Sequence, residues 1–264
     1  MVPRAKKSFS QNWLVDETVV AKIIDAAEIV PGETVLEVGP GTGVLTQALV
    51  NAGACVIAVE ADGSLIPSLR EKFADSVEVI HADILTFNIS TSATFPPSHL
   101  STPYKLIANI PYNITSDLLR RFLTIEPKPS RMVVMVQREV ANRIVATPPD
   151  MSLLSVMCQL YAECRRVTNV PAGAFRPIPK VDSAVVRLDL LDPLRWGIDP
   201  EKVIALAKRG FASRRKQLHG NLKSLAGSQR VKHALESLGL SPSARAQELS
   251  VENWVKLTHM LDKK

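Results

Sequence analysis

No stretch of the 264-residue chain approaches the roughly 20 consecutive apolar residues that a membrane-spanning helix requires, so no such helix is expected. Cysteine is scarce: Cys55, Cys158 and Cys164 are an odd number without metal-ligand spacing. That excludes a disulfide framework and a thiolate metal site, and points to small buried side chains in a reducing compartment. The basic start Met1-Val2-Pro3-Arg4-Ala5-Lys6-Lys7 has no apolar run behind it, because Asn12, Asp16 and Glu17 interrupt the sequence. It does not read as a secretion signal, and a cytoplasmic protein is expected. No internal repeat is found.

Acids are missing altogether from residues 202 to 235, a stretch that holds Lys202, Lys208, Arg209, Arg214, Arg215, Lys216, Lys223, Arg230 and Lys232. With a net charge of +6 overall, these nine cations leave −3 for the remainder. A solvated helix face normally interleaves acids for i,i+4 pairing. Their absence favours a polyanionic partner held by counterion release, and nucleic acid is the polyanion expected.

What is present is globular: 46% hydrophobic and 22% charged residues, in a chain long enough for a catalytic domain with a small appendage. Apolar runs rich in β-branched residues alternate with helix-period segments from about residue 33 to 145, the pattern of a parallel sheet covered on both faces. Strands are expected near 34–38, 55–60, 77–81, 105–109 and 131–136. Helices are expected near 19–29, 44–52, 63–73, 116–125 and 138–145. Later strands near 166–170 and 183–190 read as an antiparallel pair at the far end of the sheet. After Asp192-Pro193 the pattern is helical, and residues 88–103, rich in Ser, Thr and Pro, read as a surface loop.

The first apolar run ends in Glu37-Val38-Gly39-Pro40-Gly41-Thr42-Gly43. A strand that feeds such glycines into a helix start lets the backbone approach a ligand closely. A dinucleotide fingerprint would want a small residue where Val44 stands and would not need Glu37. Glycines at 39, 41 and 43 behind an acid instead resemble S-adenosylmethionine-dependent methyltransferases of the Rossmann-like class, where the acid faces the cationic amino-acid end. Glu60 closes the second strand, where a carboxylate can accept both ribose hydroxyls. Asp83 follows the third strand, placed to accept the adenine amine.

The fourth run ends in Asn109-Ile110-Pro111-Tyr112, which offers a side-chain amide, a backbone carbonyl and an aromatic face. An adenine N6 amine is a poor nucleophile because its lone pair is delocalised into the ring. If Asn109 and a main-chain carbonyl near Pro111 accept its two hydrogens, the nitrogen is drawn toward a pyramidal form, and Tyr112 can stack on the base. On its own the tetrapeptide is also an ordinary strand-ending turn. After the fourth strand of such a sheet it points to methyl transfer to a nucleic-acid nitrogen.

With these motifs in place, the chain resembles the ribosomal RNA adenine dimethyltransferase family, specifically its bacterial KsgA type. Ser10-Gln11-Asn12-Trp13-Leu14 is similar to the family's Gly-Gln-Asn-Phe-Leu segment, with Ser10 and Trp13 as departures. The tetrad at 109–112, the segment Gln137-Arg138-Glu139-Val140-Ala141 and the run 175–186 also match, and 211–223 resembles its basic helical motif. The resemblance implies cofactor contacts at Asn12, Leu14, Gly39, Glu60, Asp83 and Asn109, and stacking of Phe175 on the target base opposite Tyr112. Composition alone reads Phe175 as a core aromatic.

The expected architecture is therefore α/β: a Rossmann-like class I methyltransferase sheet over 1–191, binding S-adenosylmethionine, and a small all-helical RNA-binding domain over 192–264. The expected activity is N6,N6-dimethylation of two adjacent adenosines in the terminal hairpin loop of small-subunit rRNA, on the immature small ribosomal subunit. Catalysis falls to Asn109, Pro111, Tyr112 and Phe175; cofactor contacts also include Glu37, Gly41 and Gly43; RNA contacts fall to Arg214, Arg215, Lys216 and Lys223. A monomer without metal is expected. The alternatives are a large-subunit rRNA adenine methyltransferase of the antibiotic-resistance type and a non-catalytic rRNA-binding assembly factor, with a nicotinamide oxidoreductase further behind.

Overall fold

The computed structural model describes residues 11–87 and 104–262; Ser10 and the loop at 88–103 lie outside the described residues. Contacts gather the chain into two units, Met1–Ala141 with Glu163–Leu190, and Asn142–Ala162 with Leu191–Lys264.

The first unit begins with a two-residue strand, β1 (Trp13–Leu14), and helix α1 (Glu17–Ala27). Asp16 starts α1, its Oδ1 accepting from Thr18 N at 2.9 Å and Val19 N at 3.3 Å, and satisfies two orphan amides of the first turn. Val19, Val20, Ile23, Ala26 and Ala27 form its buried face. Then follow β2 (Thr34–Val38), α2 (Val44–Asn51), β3 (Cys55–Glu60), α3 (Ile66–Phe73), β4 (Val77–His81), β5 (Lys105–Asn109), α4 (Thr115–Thr124) and β6 (Arg131–Gln137). After α5 (Arg138–Ile144) and α6 (Leu153–Tyr161) come β7 (Ala162–Val170), β8 (Phe175–Arg176) and β9 (Ser183–Leu190).

The seven-stranded sheet has the order β4-β3-β2-β5-β6-β9-β7. β2, β3, β4, β5 and β6 are parallel neighbours, and β9 runs antiparallel to β6. The full burial of β2, all five residues, and of β6 from Met132 to Val136 follows from helices covering both faces. From β2 the chain winds outward through β3 and β4, then crosses back to β5 and winds the other way. The strand order thus reverses between β2 and β5, and the crevice outside their carboxyl ends is where open α/β sheets bind ligands.

Trp13 pairs with Arg176 and Leu14 with Phe175 in a separate two-stranded sheet, reinforced by Val15 N donating to Ala174 O at 2.9 Å. Nothing in the sequence signals this pairing, because two residues are too few to carry a period.

In the second unit α6 packs with α7 (Pro200–Gly210) and α11 (Val251–Asp262), and the short helices α8 (Leu218–Asn221) and α9 (Lys223–Ala226) precede α10 (Ser228–Ser237). A reciprocal Ser152–Ser155 capping box starts α6, and Trp196 Nε1 donates to Leu160 O at 2.8 Å. Trp254 is fully buried, its ring 5.6 Å from that of Phe211. Asn142–Ala162 therefore groups with the C-terminal helices, whereas a division at 191/192 leaves it with the sheet. The apolar residues of α6 find their partners in helices that follow β9 in the sequence. No helix among the described residues is long and apolar enough to cross a membrane.

Gly43 caps α2 at φ +76°, and a Cβ there would lie 2.6 Å from Cε2 of the Phe73 ring. Gly43→Ala combines left-handed strain with overpacking and should cost about 2–4 kcal/mol in urea unfolding. An unchanged midpoint would show that the Phe73 ring yields freely.

Candidate active site

Parallel pairing of β2 with β5, in the register Val38 opposite Ala108, places the glycine turn beside the Asn109 tetrad. β3 on the other side of β2 brings Glu60, and β4 brings Asp83 in the turn that follows it. These segments, with Gln11, Asn12 and Trp13, line a pocket of about 220 Å³.

The turn is pinned to its neighbours before any ligand arrives. Gly39 N donates to Val59 O at 2.9 Å and Gly43 N to Pro40 O at 2.8 Å. Glu60 fixes the turn from the side: its Oε2 accepts from Gly41 N at 3.1 Å and its Oε1 from Asp62 N at 2.9 Å. Each carboxylate oxygen keeps a further lone pair for a ligand hydroxyl. Burial pushes the Glu60 carboxyl up, and the two backbone donors pull against it. Asp62 in turn takes Gln11 Nε2 at 2.9 Å, tying the amino-terminal segment to the same rim. Asp83 is exposed and lines the pocket, with Oδ1 accepting from Leu85 N at 2.9 Å.

The Asn109 side chain is oriented by its own amide. Nδ2 donates to Asn12 O at 3.0 Å, which leaves Oδ1 as the acceptor of a half-buried side chain at the pocket wall. The Pro111 carbonyl already accepts from Ile114 N at 3.1 Å, in the turn Tyr112–Ile114 that starts α4, and from Thr115 Oγ1 at 3.4 Å. The carbonyl before it, on Ile110, belongs to a residue whose N–H is anchored to Met135 O at 3.2 Å. Tyr112, half-buried, shares a 2.7 Å hydrogen bond with the fully buried Ser183 hydroxyl, which fixes the plane of its ring. Burial pushes the Tyr112 phenol up, so it stays neutral.

Of the residues expected from sequence, Asn12, Gly39, Gly41, Glu60, Asp83, Asn109, Pro111 and Tyr112 line the pocket. Leu14, Glu37, Gly43 and Phe175 do not. Phe175 is only 1% exposed and sits in the apolar core with Leu14, opposite it in the β1–β8 pair, so its ring is spent on packing rather than presented to a base. Gly43 turns its missing Cβ toward Phe73. Glu37 is 1% exposed, within β2, and its Oε2 is buried without a hydrogen-bond partner. Burial pushes its carboxyl up to about 8 and the Glu60 charge adds to the rise. The nearby Thr46 hydroxyl and Lys72 oppose it, although Thr46 Oγ1 completes no hydrogen bond either. Sequence reasoning passed over Gln11 and Trp13 as lining residues; the glutamine lies in the matched amino-terminal segment, and that was the available signal.

In the second unit Arg214, Arg215, Lys216 and Lys223 are all exposed, as are Lys202, Lys208, Arg209 and Arg230. Lys202 pairs with Asp262 at 2.7 Å, whereas Lys208, Arg209, Arg214, Arg215, Lys216 and Lys223 have no salt bridge among the described residues. The cationic stretch is therefore largely uncompensated.

The chain is similar to known proteins of one family. The profile of the family described as Ribosomal RNA adenine dimethylase matches residues 2–263. A Rippkaea orientalis protein named Ribosomal RNA small subunit methyltransferase A is 39% identical over 99% of both chains. A Dehalococcoides mccartyi protein of the same name is 43% identical over 96% of this chain and 87% of its own. Among solved structures, the 23S rRNA methyltransferase ErmE aligns with a TM-score of 0.78 at 31% identity, covering 96% of this chain and 100% of that one. A dimethyladenosine transferase from Plasmodium falciparum aligns at 0.77 and 26% identity, covering 92% and 95%.

The Glu37 carboxyl carries a pH signature. Its folded value of about 8 lies above the ordinary 4.5, so the unfolded chain ionises first and stability falls as pH rises from about 4.5 to about 8. Urea unfolding of the wild type and Glu37→Gln across that window should show the wild type losing stability relative to the variant as pH rises. Parallel curves would mean that Glu37 is ionised in the folded protein.

Proposed function

The chain belongs to the ribosomal RNA adenine dimethylase family, and on that premise we propose that it dimethylates N6 of two adjacent adenosines in the terminal hairpin loop of small-subunit rRNA, using S-adenosylmethionine. The observation that carries the reading is Asn109: its amide nitrogen is committed to Asn12, and its oxygen remains as an acceptor beside the glycine turn.

The pocket suits the cofactor on the chemistry of its donors and acceptors. Gly39 and Gly41 admit close approach of the backbone, Glu60 offers a buried carboxylate for the ribose hydroxyls, and Asp83 offers an acceptor for the adenine amine. When bound, S-adenosylmethionine supplies an electrophilic methyl group. The protein's own part is to prepare the acceptor. Asn109 Oδ1 and the carbonyl of Ile110 or Pro111 accept hydrogen bonds from the N6 hydrogens, which draws the lone pair out of conjugation, and one N6 proton is released to solvent with each methyl transferred. Tyr112, its ring held by Ser183, stacks on the base, a contact worth about 1–3 kcal/mol in comparable cases. Catalysis then comes from positioning, and no strong general base is needed. Phe175, in the core, takes no part in this reading. The acceptor carbonyl falls more naturally to Ile110, because that of Pro111 is engaged in its own turn.

The exposed cations of the second unit give the hold on rRNA. We read the protein, as its sequence leads one to expect, as a cytoplasmic monomer without metal. The small-subunit substrate is favoured over the large-subunit one because the relatives named for it are 39% and 43% identical, against 31% for ErmE.

Incubation with labelled S-adenosylmethionine and unmodified small subunits should yield dimethyladenosine on nucleoside analysis, and Asn109→Ala should lower kcat/KM by about 100- to 1,000-fold. Transfer to free large-subunit rRNA alone, or full activity in the variant, would reject the proposal. Replacing Arg214, Arg215 and Lys216 with Ala should weaken RNA binding and flatten the slope of log K against log salt by about 2, at roughly 0.7 per single-strand phosphate contact. An unaltered slope would remove these three from the RNA contact.

A further inference from the structure

Trp13 lines the pocket, and its polar atom has no role so far. The side chain is 9% exposed, and its indole Nε1 is buried with no hydrogen-bond partner. Buried polar groups in native proteins are nearly always paired, and Trp N–H groups in particular find acceptors. The ring also has a fixed place. Its backbone is paired with Arg176, and its edge lies on the glycine turn, where a Cβ on Gly41 would meet Trp13 Cδ1 at 2.9 Å and Nε1 at 3.2 Å. Gly41 at φ +57° is thus needed twice, for the turn and for the indole.

An indole N–H only donates, so its partner is an acceptor. A cofactor of the proposed class presents donors, its ribose hydroxyls and adenine amine, to Glu60 and Asp83. It also carries a carboxylate, which needs donors. Among the described residues lining the pocket there is no Lys or Arg. The side-chain amides of Gln11 and Asn109 already donate to Asp62 and Asn12, and those of Asn12 and Asn113 line the pocket beside them. We propose that Trp13 Nε1 donates to the carboxylate at the amino-acid end of the cofactor, which makes Trp13 a determinant of selectivity for that end. The inference rests on the reading of this pocket as an S-adenosylmethionine site.

The test uses the full chain with S-adenosylhomocysteine and with methylthioadenosine, which lacks the amino-acid end. Tryptophans at 13, 196 and 254 give three indole N–H signals in a nitrogen-15 spectrum, and Trp13→Phe, which keeps a ring and loses the donor, identifies one of them. The Trp13 signal should move with S-adenosylhomocysteine and stay in place with methylthioadenosine. By calorimetry, Trp13→Phe should weaken S-adenosylhomocysteine about tenfold, as expected for one hydrogen bond to a charged group, and leave methylthioadenosine within about twofold. A Trp13 signal that ignores S-adenosylhomocysteine, or moves equally with both ligands, would overturn the proposal, and so would equal affinity in the variant. The wild-type spectrum decides the matter even if the variant folds poorly. Should the wild type bind neither ligand, the cofactor reading of the pocket would fall and take this inference with it.

Discussion

The hydrogen-bonded neighbourhood of β2 and β5 is the constraint from which the site follows. Residues about 70 positions apart in sequence are made adjacent by one parallel ladder, with Val38 opposite Ala108, so that each strand's next residue, Gly39 or Asn109, opens onto the same crevice. Parallel strands all end on one side, and reversal of strand order at this pair leaves a gap between the loops that no helix fills. Shifting the ladder by one residue would turn Asn109 to the opposite face of the sheet. Lys105 at the start of β5, its Nζ held by Glu28 O and Glu33 Oε2 at 2.7 Å each, guards against that slip.

Around this pair the remaining groups hold one another in place. Glu60, from β3, clasps the glycine turn through Gly41 N; Asn12, from the amino-terminal segment, orients the Asn109 amide; Ser183, from β9, fixes Tyr112. The segment that carries Asn12 is itself held by the short pairing of β1 with β8. Each side chain at the rim is thus set by a partner from a different strand, which is how an otherwise soft set of loops becomes preorganised. The two buried acids, Glu37 and Glu60, lie close enough for the charge of Glu60 to raise the pKa of Glu37, a cost that only a largely neutral Glu37 keeps small.

Much of this was legible in the sequence, for a physical reason. Strands covered on both faces are dense in apolar residues, as at 56–59 and 106–108, and the strands at 34–38, 55–60, 77–81 and 105–109 stand where their patterns end in Gly39, Glu60, His81 and Asn109. The motifs also identified the family and its Rossmann-like sheet. Features that depend on tertiary partners were not legible. A two-residue pairing such as β1–β8 has no period, and it is this pairing that draws Phe175 into the core. The apolar run of α6 gives no hint that its partners lie after β9. Within the glycine turn, only the fold decides which residues face the crevice, as Gly39 and Gly41 do, and which face inward packing, as Gly43 and Glu37 do.

Asn109 Oδ1, at the junction of β2 and β5, is the acceptor we assign to the amino group of a purine. A crystal structure of the protein with S-adenosylhomocysteine and a short adenosine-containing RNA loop tests it most directly. The extruded adenine should lie with its N6 within hydrogen-bond distance of Asn109 Oδ1 and of the Ile110 or Pro111 carbonyl, its ring on Tyr112, and the ribose of the cofactor on Glu60. An adenine bound elsewhere, with Asn109 contacting only Asn12, would contradict it.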